Sequence, residues 1–371
     1  MATHLAAVSL AKGQPLQIQT RQTPKPGPDD LLVAVKSIAL NPADVLMRDT
    51  GILVSAHPTI LGFDVSGLVL EVGENVPVAP YNDSPSASFR PGLTRIAAYS
   101  ACVWRASDPN YGVFQETCLV PWQHAVILPD SISWNHAVTL PVSVQVALCA
   151  WDAMGIPRLD NPISAPEKAD VANKEEVLLV WGASSSVGSM GVQTARLLRM
   201  DPSSPFAAVY ATAGATNHEY VASMGADRVF DYKDARVVDF ILAAAAEDGL
   251  VIRHCFLATG SLALCHSVLK HFLRRDDETV TVASAPPVPD EAKRWNALET
   301  IFLVPSVVES ERLEQFRFWL GTWLRKNLVK GTIVPSPEPM VVGRGIESLD
   351  SAMDKLREGV SCKKLVVEVA K

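Results

Sequence analysis

In this 371-residue chain the residues best suited to hold a phosphorylated ligand lie in residues 177–198, VLLVWGASSSVGSMGVQTARLL. Five apolar residues run into a turn of small and hydroxyl side chains, and an apolar pattern of helical period begins there. Backbone amides at a helix N-terminus carry partial positive charge, and small residues let a pyrophosphate approach them. Gly182 permits the tight turn, and Gly188 lets the helix pack close to the strand. Ser184, Ser185 and Ser186 offer hydroxyl donors. The spacing departs from a strict GxGxxG, because Ser184 stands where the second glycine would be.

The next loop refines the ligand. A site for NAD usually places an Asp or Glu after the second strand, where it holds the ribose 2′-hydroxyl. Here Tyr210, Ala211 and Thr212 are followed by Ala213, Gly214, Ala215, Thr216 and Asn217, with no carboxylate before Glu219. A neutral loop leaves room for a 2′-phosphate and removes the repulsion an acid would impose. NADPH is therefore the expected cofactor. No Lys or Arg lies in the loop, so Thr216, Asn217 and Tyr232 are the expected donors, with Arg228 or Lys233 assisting.

Metal chemistry is not expected. Cys102, Cys118, Cys149, Cys255, Cys265 and Cys362 are dispersed and form no CxxC pair. His4, His57, His124 and His136 stand at no recognisable ligand spacing to a cysteine. Without a Lewis acid, nothing obvious stabilises an alkoxide. Hydride addition to an activated C=C is easier, since the substrate's own carbonyl delocalises the charge. Enones, enoyl thioesters and quinones are the favoured substrate class. Free thiols fit a reducing, cytoplasmic location.

These residues need positioning elements. Residues 1–140 read as short strands broken by Gly and Pro, which suggests a β-barrel-like domain. The early run LAAVSLA reads as the first arm of a hairpin rather than a signal peptide, because it lacks a basic flank. Residues 76–92 read as a surface loop. Residues 134–151 carry a helical pattern with Pro141 as a kink or boundary, and residues 161–176 read as a polar surface insertion. From residue 177 onward, strands and helices alternate as in a doubly wound parallel sheet. The tail has a helix near residues 311–326 and a closing strand at 364–369. The fold class is α/β.

Composition agrees: 48% of residues are hydrophobic and 20% charged, enough for two buried cores. A net charge of −7 argues against a nucleic-acid partner. No window approaches the ~18 apolar residues of a membrane span, so no membrane partner is expected.

Several segments together resemble the medium-chain dehydrogenase/reductase superfamily, in its zinc-free quinone-oxidoreductase and enoyl-reductase branch. They are LNPADVLMRDTG (40–51), PTILGFDVSGLVLEVGENV (58–76), GVFQETCLV (112–120), ILPDSISWNHAVTLPVSVQVAL (127–148), MGADRVFDYKD (224–234) and SCKKLVVEV (361–369). They occur in the family's order across nearly the whole chain. VWGASSSVG, FDYKD and VSCKKLV are similar to the fungal trans-acting enoyl reductases of polyketide biosynthesis, the lovastatin enoyl reductase type.

The resemblance implies a GroES-like catalytic domain (1–140 and 301–371) and a Rossmann NADPH-binding domain (141–300). It implies a pyrophosphate along Ser184, Ser185, Ser186 and Val187, and a 2′-phosphate at Gly214, Thr216, Asn217 and Tyr232. Asn41, Ala43, Asp44, Leu46, Val360 and Ser361 would lie near the nicotinamide, with Asn41 and Asp44 the catalytic candidates. Zinc relatives carry Gly-His-Glu where this chain has Gly62, Phe63 and Asp64. Several polyketide-type reductases have Trp-Lys where this chain has Val45 and Leu46, and the segment 40–51 resembles the quinone-oxidoreductase version, in which Arg48 is usual.

The implied activity is hydride transfer from NADPH to the β-carbon of an α,β-unsaturated carbonyl, as a trans-acting enoyl reductase. The alternatives are a quinone oxidoreductase or other zinc-free carbonyl or alkene reductase, and a non-catalytic or unusual pathway role on the same scaffold. The partner would be a small-molecule or acyl-thioester substrate or a polyketide synthase carrier domain, met by a monomer or homodimer. No residue stands out as a general acid; Tyr99, Tyr111, Ser143 and Gln145 are candidates, each with a structural role as the competing account.

Overall fold

The N-terminal alternation forms a hairpin, Thr3–Ser9 paired antiparallel with Gln17–Gln22, in the computed structural model. The structure describes residues 2–78, 88–158, 174–273 and 279–369. Two units form: Met1–Val142 with Ser306–Lys371, and Ser143–Pro305.

In the first unit the apolar run of residues 31–39 becomes the strand Asp30–Ala39, buried on both faces at nearly every position. It pairs antiparallel with Asp64–Val72 and with Thr117–Pro121. The closing strand Lys364–Glu368 also joins it, with Val366 opposite Ala39. The same row continues through Asp64, which faces Ala39 on one side and Tyr99 on the other. The chain's last strand is thereby brought back to the start of the helix Pro42–Thr50. Arg95–Tyr99 and Ala125–Ile127 extend the sheet on one side, and Pro339–Arg344 on the other.

The second unit holds a seven-stranded sheet. Its order is Arg228–Asp231, Phe206–Ala213, Glu176–Trp181, Val251–Leu257, Val280–Ser284, Leu298–Phe302 and Arg294–Trp295. All neighbours are parallel except the last pair. From Glu176–Trp181 the chain builds outward in one direction, then crosses back to build in the other. The switch falls between Glu176–Trp181 and Val251–Leu257, beyond whose carboxyl ends such sheets hold their ligands. The core is a continuous cluster that includes Leu179, Tyr210, Ile241, Cys255 and Val282.

Several elements differ from the sequence reading. Most of the polar insertion, residues 159–173, lies outside the described residues, as do residues 79–87 of the expected surface loop. Phe89, in the remainder of that loop, is buried. Pro141 is a boundary: it opens the helix Pro141–Ala153 after a short turn of helix, Trp134–Ala137. The tail helix is longer and is not regular. Glu309–Phe316 passes into a π-helical stretch, Arg317–Leu324, then returns to α in Arg325–Lys330. Trp319, Leu320, Trp323 and Leu324 of this stretch are all buried. No helix among the described residues is long and apolar enough to cross a membrane.

Candidate functional site

Each unit carries its own constellation. In the second unit the strand Glu176–Trp181 ends in the small-residue turn, and the helix Ser186–Met200 begins there. Gly182 has φ +79°, and a Cβ on it would meet Thr259 at 2.6 Å. A Cβ on Gly188 would stand 2.3 Å from the Gly182 carbonyl oxygen. Both positions therefore require glycine, one for its backbone angle and both for close approach.

The three serines divide their work. Ser185 is the N-cap: its hydroxyl donates to the Gly182 carbonyl at 2.8 Å and accepts from the Gly188 amide at 3.1 Å. Its proton is spent inside the turn, so Ser185 braces the loop rather than offering its hydroxyl to a ligand. The Ser186 hydroxyl, in the first helical turn, is buried without a partner. Ser184 and Val187 are half-buried beside it. A cradle that a Cβ would fill, with an unpartnered hydroxyl at a helix N-terminus, fits a pyrophosphate.

The second loop of this unit is built around Gly214. A Cβ there would lie 3.9 Å from the Tyr232 ring and 4.0 Å from the Lys233 ammonium. Thr216 is exposed and Asn217 half-buried in the same turn. Tyr232 is 43% exposed, and the Lys233 ammonium stands 6.0 Å from its ring centroid. Of the two cations expected to assist, Arg228 is taken, bound to Asp248 and Glu247. Lys233 has no carboxylate partner among the described residues.

In the first unit the helix Pro42–Thr50 begins at Asn41, whose backbone N–H donates to Asp44 Oδ2 at 2.7 Å. The strand register carries Lys364 to this point. Its ammonium donates to Asn41 Oδ1 at 2.6 Å and lies 3.0 Å from Asp64 Oδ2. Asn41 Nδ2 donates to the same Asp64 oxygen at 3.0 Å, and the Val142 amide donates to Asp64 Oδ1 at 2.8 Å. All four side chains are buried. Two carboxylates thus share one ammonium.

The imbalance falls on Asp44. Burial pushes its carboxyl up to about 7; the Asn41 amide bond opposes this, and the Asp64 charge adds to it. Asp44 Oδ1 is buried with no partner.

Ala43 is half-buried on the same helix, whereas Leu46 is exposed. Val360 and Ser361 lie on an exposed turn before the closing strand. Arg48 anchors the helix: its buried guanidinium meets Asp49 at 2.9 Å, Asp350 at 3.1 Å and Asp354 at 2.7 Å. Those last two belong to the helix Leu349–Arg357.

Sequence reasoning missed Lys364. Its signal was a lysine opening the strand Lys364–Glu368, directly before the apolar run Leu365–Val367. The candidate acids resolve differently. Tyr111 donates its hydroxyl to Asp30 at 2.8 Å, and Tyr99 is buried against Phe63 and Phe316. Ser143 and Gln145 are both buried. His4 is held by Gln115, and His57 lies against Ser9. Among the described residues, no group of three or more His, Cys, Asp or Glu side chains is placed to hold a metal.

Residues 27–130 match the alcohol dehydrogenase GroES-like domain. A trans-enoyl reductase of Aspergillus flavipes is 36% identical over 367 residues, covering 98% of this chain and 98% of that one. A trans-enoyl reductase of Aspergillus terreus is also 36% identical, over 84% of this chain and 95% of its own. Among solved structures, an alcohol dehydrogenase superfamily protein from Novosphingobium aromaticivorans superposes with a TM-score of 0.72 at 21% identity, over 99% of this chain and 100% of that one. The glycine cradle at the switch point and the GroES-like unit agree with these likenesses, and a nicotinamide cofactor follows from them. The chain belongs to the medium-chain dehydrogenase/reductase superfamily, as an oxidoreductase in the branch of the fungal trans-enoyl reductases.

Proposed function

We propose that this protein is a zinc-independent, NADPH-dependent reductase of α,β-unsaturated carbonyl compounds that acts in trans in fungal polyketide biosynthesis. The observation that carries the cofactor choice is the Gly214 loop. Tyr232 and the Lys233 ammonium stand over it, and it contains no carboxylate before Glu219. A ribose 2′-phosphate would find a cation and a phenol there and no acid within the loop itself. The cofactor, when bound, supplies hydride. Ser186 and the amides of the first helical turn would hold its pyrophosphate, with Gly182 and Gly188 granting close approach.

The first unit's donor set favours work without zinc. Asp64 already accepts from Lys364, Asn41 and Val142, and the ammonium beside it would repel a dication. The names of the two Aspergillus relatives support an enoyl substrate and a trans-acting role. A carrier domain of a polyketide synthase is the partner that reading calls for.

The test is a titration of the full chain with NADPH and NADH, read by intrinsic tryptophan fluorescence, followed by reduction of a crotonyl thioester. One charge-assisted contact contributes about 1.5–3 kcal/mol, or roughly ten- to a hundredfold in affinity. NADPH should bind tighter than NADH by that factor, and Lys233→Ala should remove most of the preference. Equal affinity for the two cofactors would overturn the cofactor reading, and an inert thioester would overturn the enoyl one.

A further inference from the structure

Buried polar atoms without a partner are few in folded proteins, and each asks for an explanation. In the first unit Trp104, Trp122, Gln123, His124 and Arg312 each carry one, and they belong to three short elements. These are the turns Cys102–Trp104 and Trp122–His124 and the helix Glu309–Phe316. Arg312 is 5% exposed, and its guanidinium lies 4.6 Å over the Trp104 ring. One end donates to the carbonyls of Ser306 and Val307 at 3.1 and 3.3 Å, while Nε has no acceptor. Trp104 Nε1 has none either.

One turn along the helix, Phe316 stacks on His124 at 4.0 Å. Burial, opposed by the Tyr99 carbonyl and helped by the Arg312 and Arg105 charges, lowers the His124 pKa to about 3, so the ring is neutral. Glu309 is engaged by Arg105 at 3.1 Å, and Glu311 accepts from the Ser306 hydroxyl at 2.7 Å. Among the described residues no carboxylate pairs with Arg312, and its Nε–H and the Trp104 Nε1–H stand idle side by side. Val307, whose carbonyl receives the guanidinium, is exposed, so this cluster lies close to solvent.

We propose that Arg312 and Trp104 form a subsite for a carboxylate on the organic substrate, in addition to the carbonyl that activates its double bond. This deepens the enoyl-reductase reading and rests on it. The Arg312 Nε–H and Trp104 Nε1–H donate to the carboxylate oxygens, and the guanidinium balances their charge. Neutral His124 and the aromatic rings around it face the adjoining carbon chain.

The test compares two ligands that differ in one distal charge, 1-methyl (E)-hex-2-enedioate and its dimethyl ester, both with the same conjugated ester carbonyl, titrated calorimetrically into the NADP⁺-loaded full chain. The acid should bind at least tenfold tighter than the ester. Arg312→Met should abolish that preference, and Trp104→Phe, which keeps a ring but removes the N–H, should lower it severalfold. NADPH affinity should stay at the wild-type value in both variants, which reports that they fold. Equal affinity of acid and ester for the wild type would overturn the subsite, as would a preference that survives Arg312→Met. Should that variant not fold, an undiminished preference in Trp104→Phe has the same force. Neither titration involves turnover. Failure of the subsite therefore leaves thioester reduction intact, and failure of reduction leaves the acid-against-ester comparison readable.

Discussion

Replacing Asp44 with Asn keeps the side chain's shape and its acceptance from the Asn41 amide, and removes only its ability to ionise. In the folded protein the Asp44 carboxyl titrates near 7, against an ordinary 3.8, mainly because burial disfavours its charge. A carboxyl raised on folding binds its proton more tightly in the native state. Its contribution is therefore fully present in acid, below about 4, and is lost as pH rises through 7. At about 1.36 kcal/mol per pH unit, the full loss is about 4 kcal/mol, of which about 3 kcal/mol falls between pH 5 and pH 8. The carboxamide of the variant does not titrate and has nothing to lose over that interval. Urea unfolding at pH 5 and pH 8, followed by fluorescence and checked for equal slopes, measures the difference. The stability of Asp44→Asn relative to wild type should rise by about 3 kcal/mol across the interval. Parallel pH dependences for the two proteins would refute the account of Asp44 as the group that bears the cluster's charge imbalance.

Three further outcomes follow from the same geometry. Gly188→Ala forces a methyl within 2.3 Å of the Gly182 carbonyl, so it should cost about 1–3 kcal/mol and weaken dinucleotide binding by more than tenfold in a fluorescence titration. Arg48→Met takes one partner from three partly solvent-exposed carboxylates, of which Asp49 and Asp354 keep Arg357, so the loss should be moderate, about 1–2 kcal/mol. It should appear as faster amide exchange in the helices Pro42–Thr50 and Leu349–Arg357. Lys364→Met and Asp64→Asn should move the Asp44 titration in opposite directions, up for the lost ammonium and down for the lost carboxylate. That movement is read from the pH at which each variant's stability changes slope.

The second unit was largely legible because its signals are local. The apolar run 177–181 and the glycines at 182 and 188 declare the strand, the turn and the close helix packing within a few residues. The first unit's site was half legible. Asn41 and Asp44 enter only through the resemblance of segment 40–51, and their partners, Asp64 and Lys364, are brought near by the strand register alone. The π-helical turn at Arg317–Leu324 was hidden for a related reason. Its apolar spacing suits an α-helix as well, so nothing in the pattern marks the wider turn. Leu298–Phe302 went unread because a five-residue strand interrupted by Glu299 and Thr300 carries almost no pattern.

The charge arithmetic of the first unit bears on the chemistry proposed for it. Asp64 receives an ammonium, an amide N–H₂ and a backbone N–H, which nearly exhausts what two carboxylate oxygens accept. A carboxylate so engaged is a counter-ion and a brace, and it has little left for a metal. Asp44 is the group with capacity to spare: one oxygen idle, and a proton that is half bound near neutrality. A reductase that adds hydride to a conjugated alkene needs a proton afterwards but no Lewis acid beforehand, because the conjugated carbonyl carries the developing charge itself. A buried ammonium in place of a dication, beside a carboxyl that exchanges its proton at working pH, matches those two needs. The same pair would serve alcohol oxidation poorly, since the ammonium is already committed to Asn41 and Asp64 and has no strength in reserve for an alkoxide.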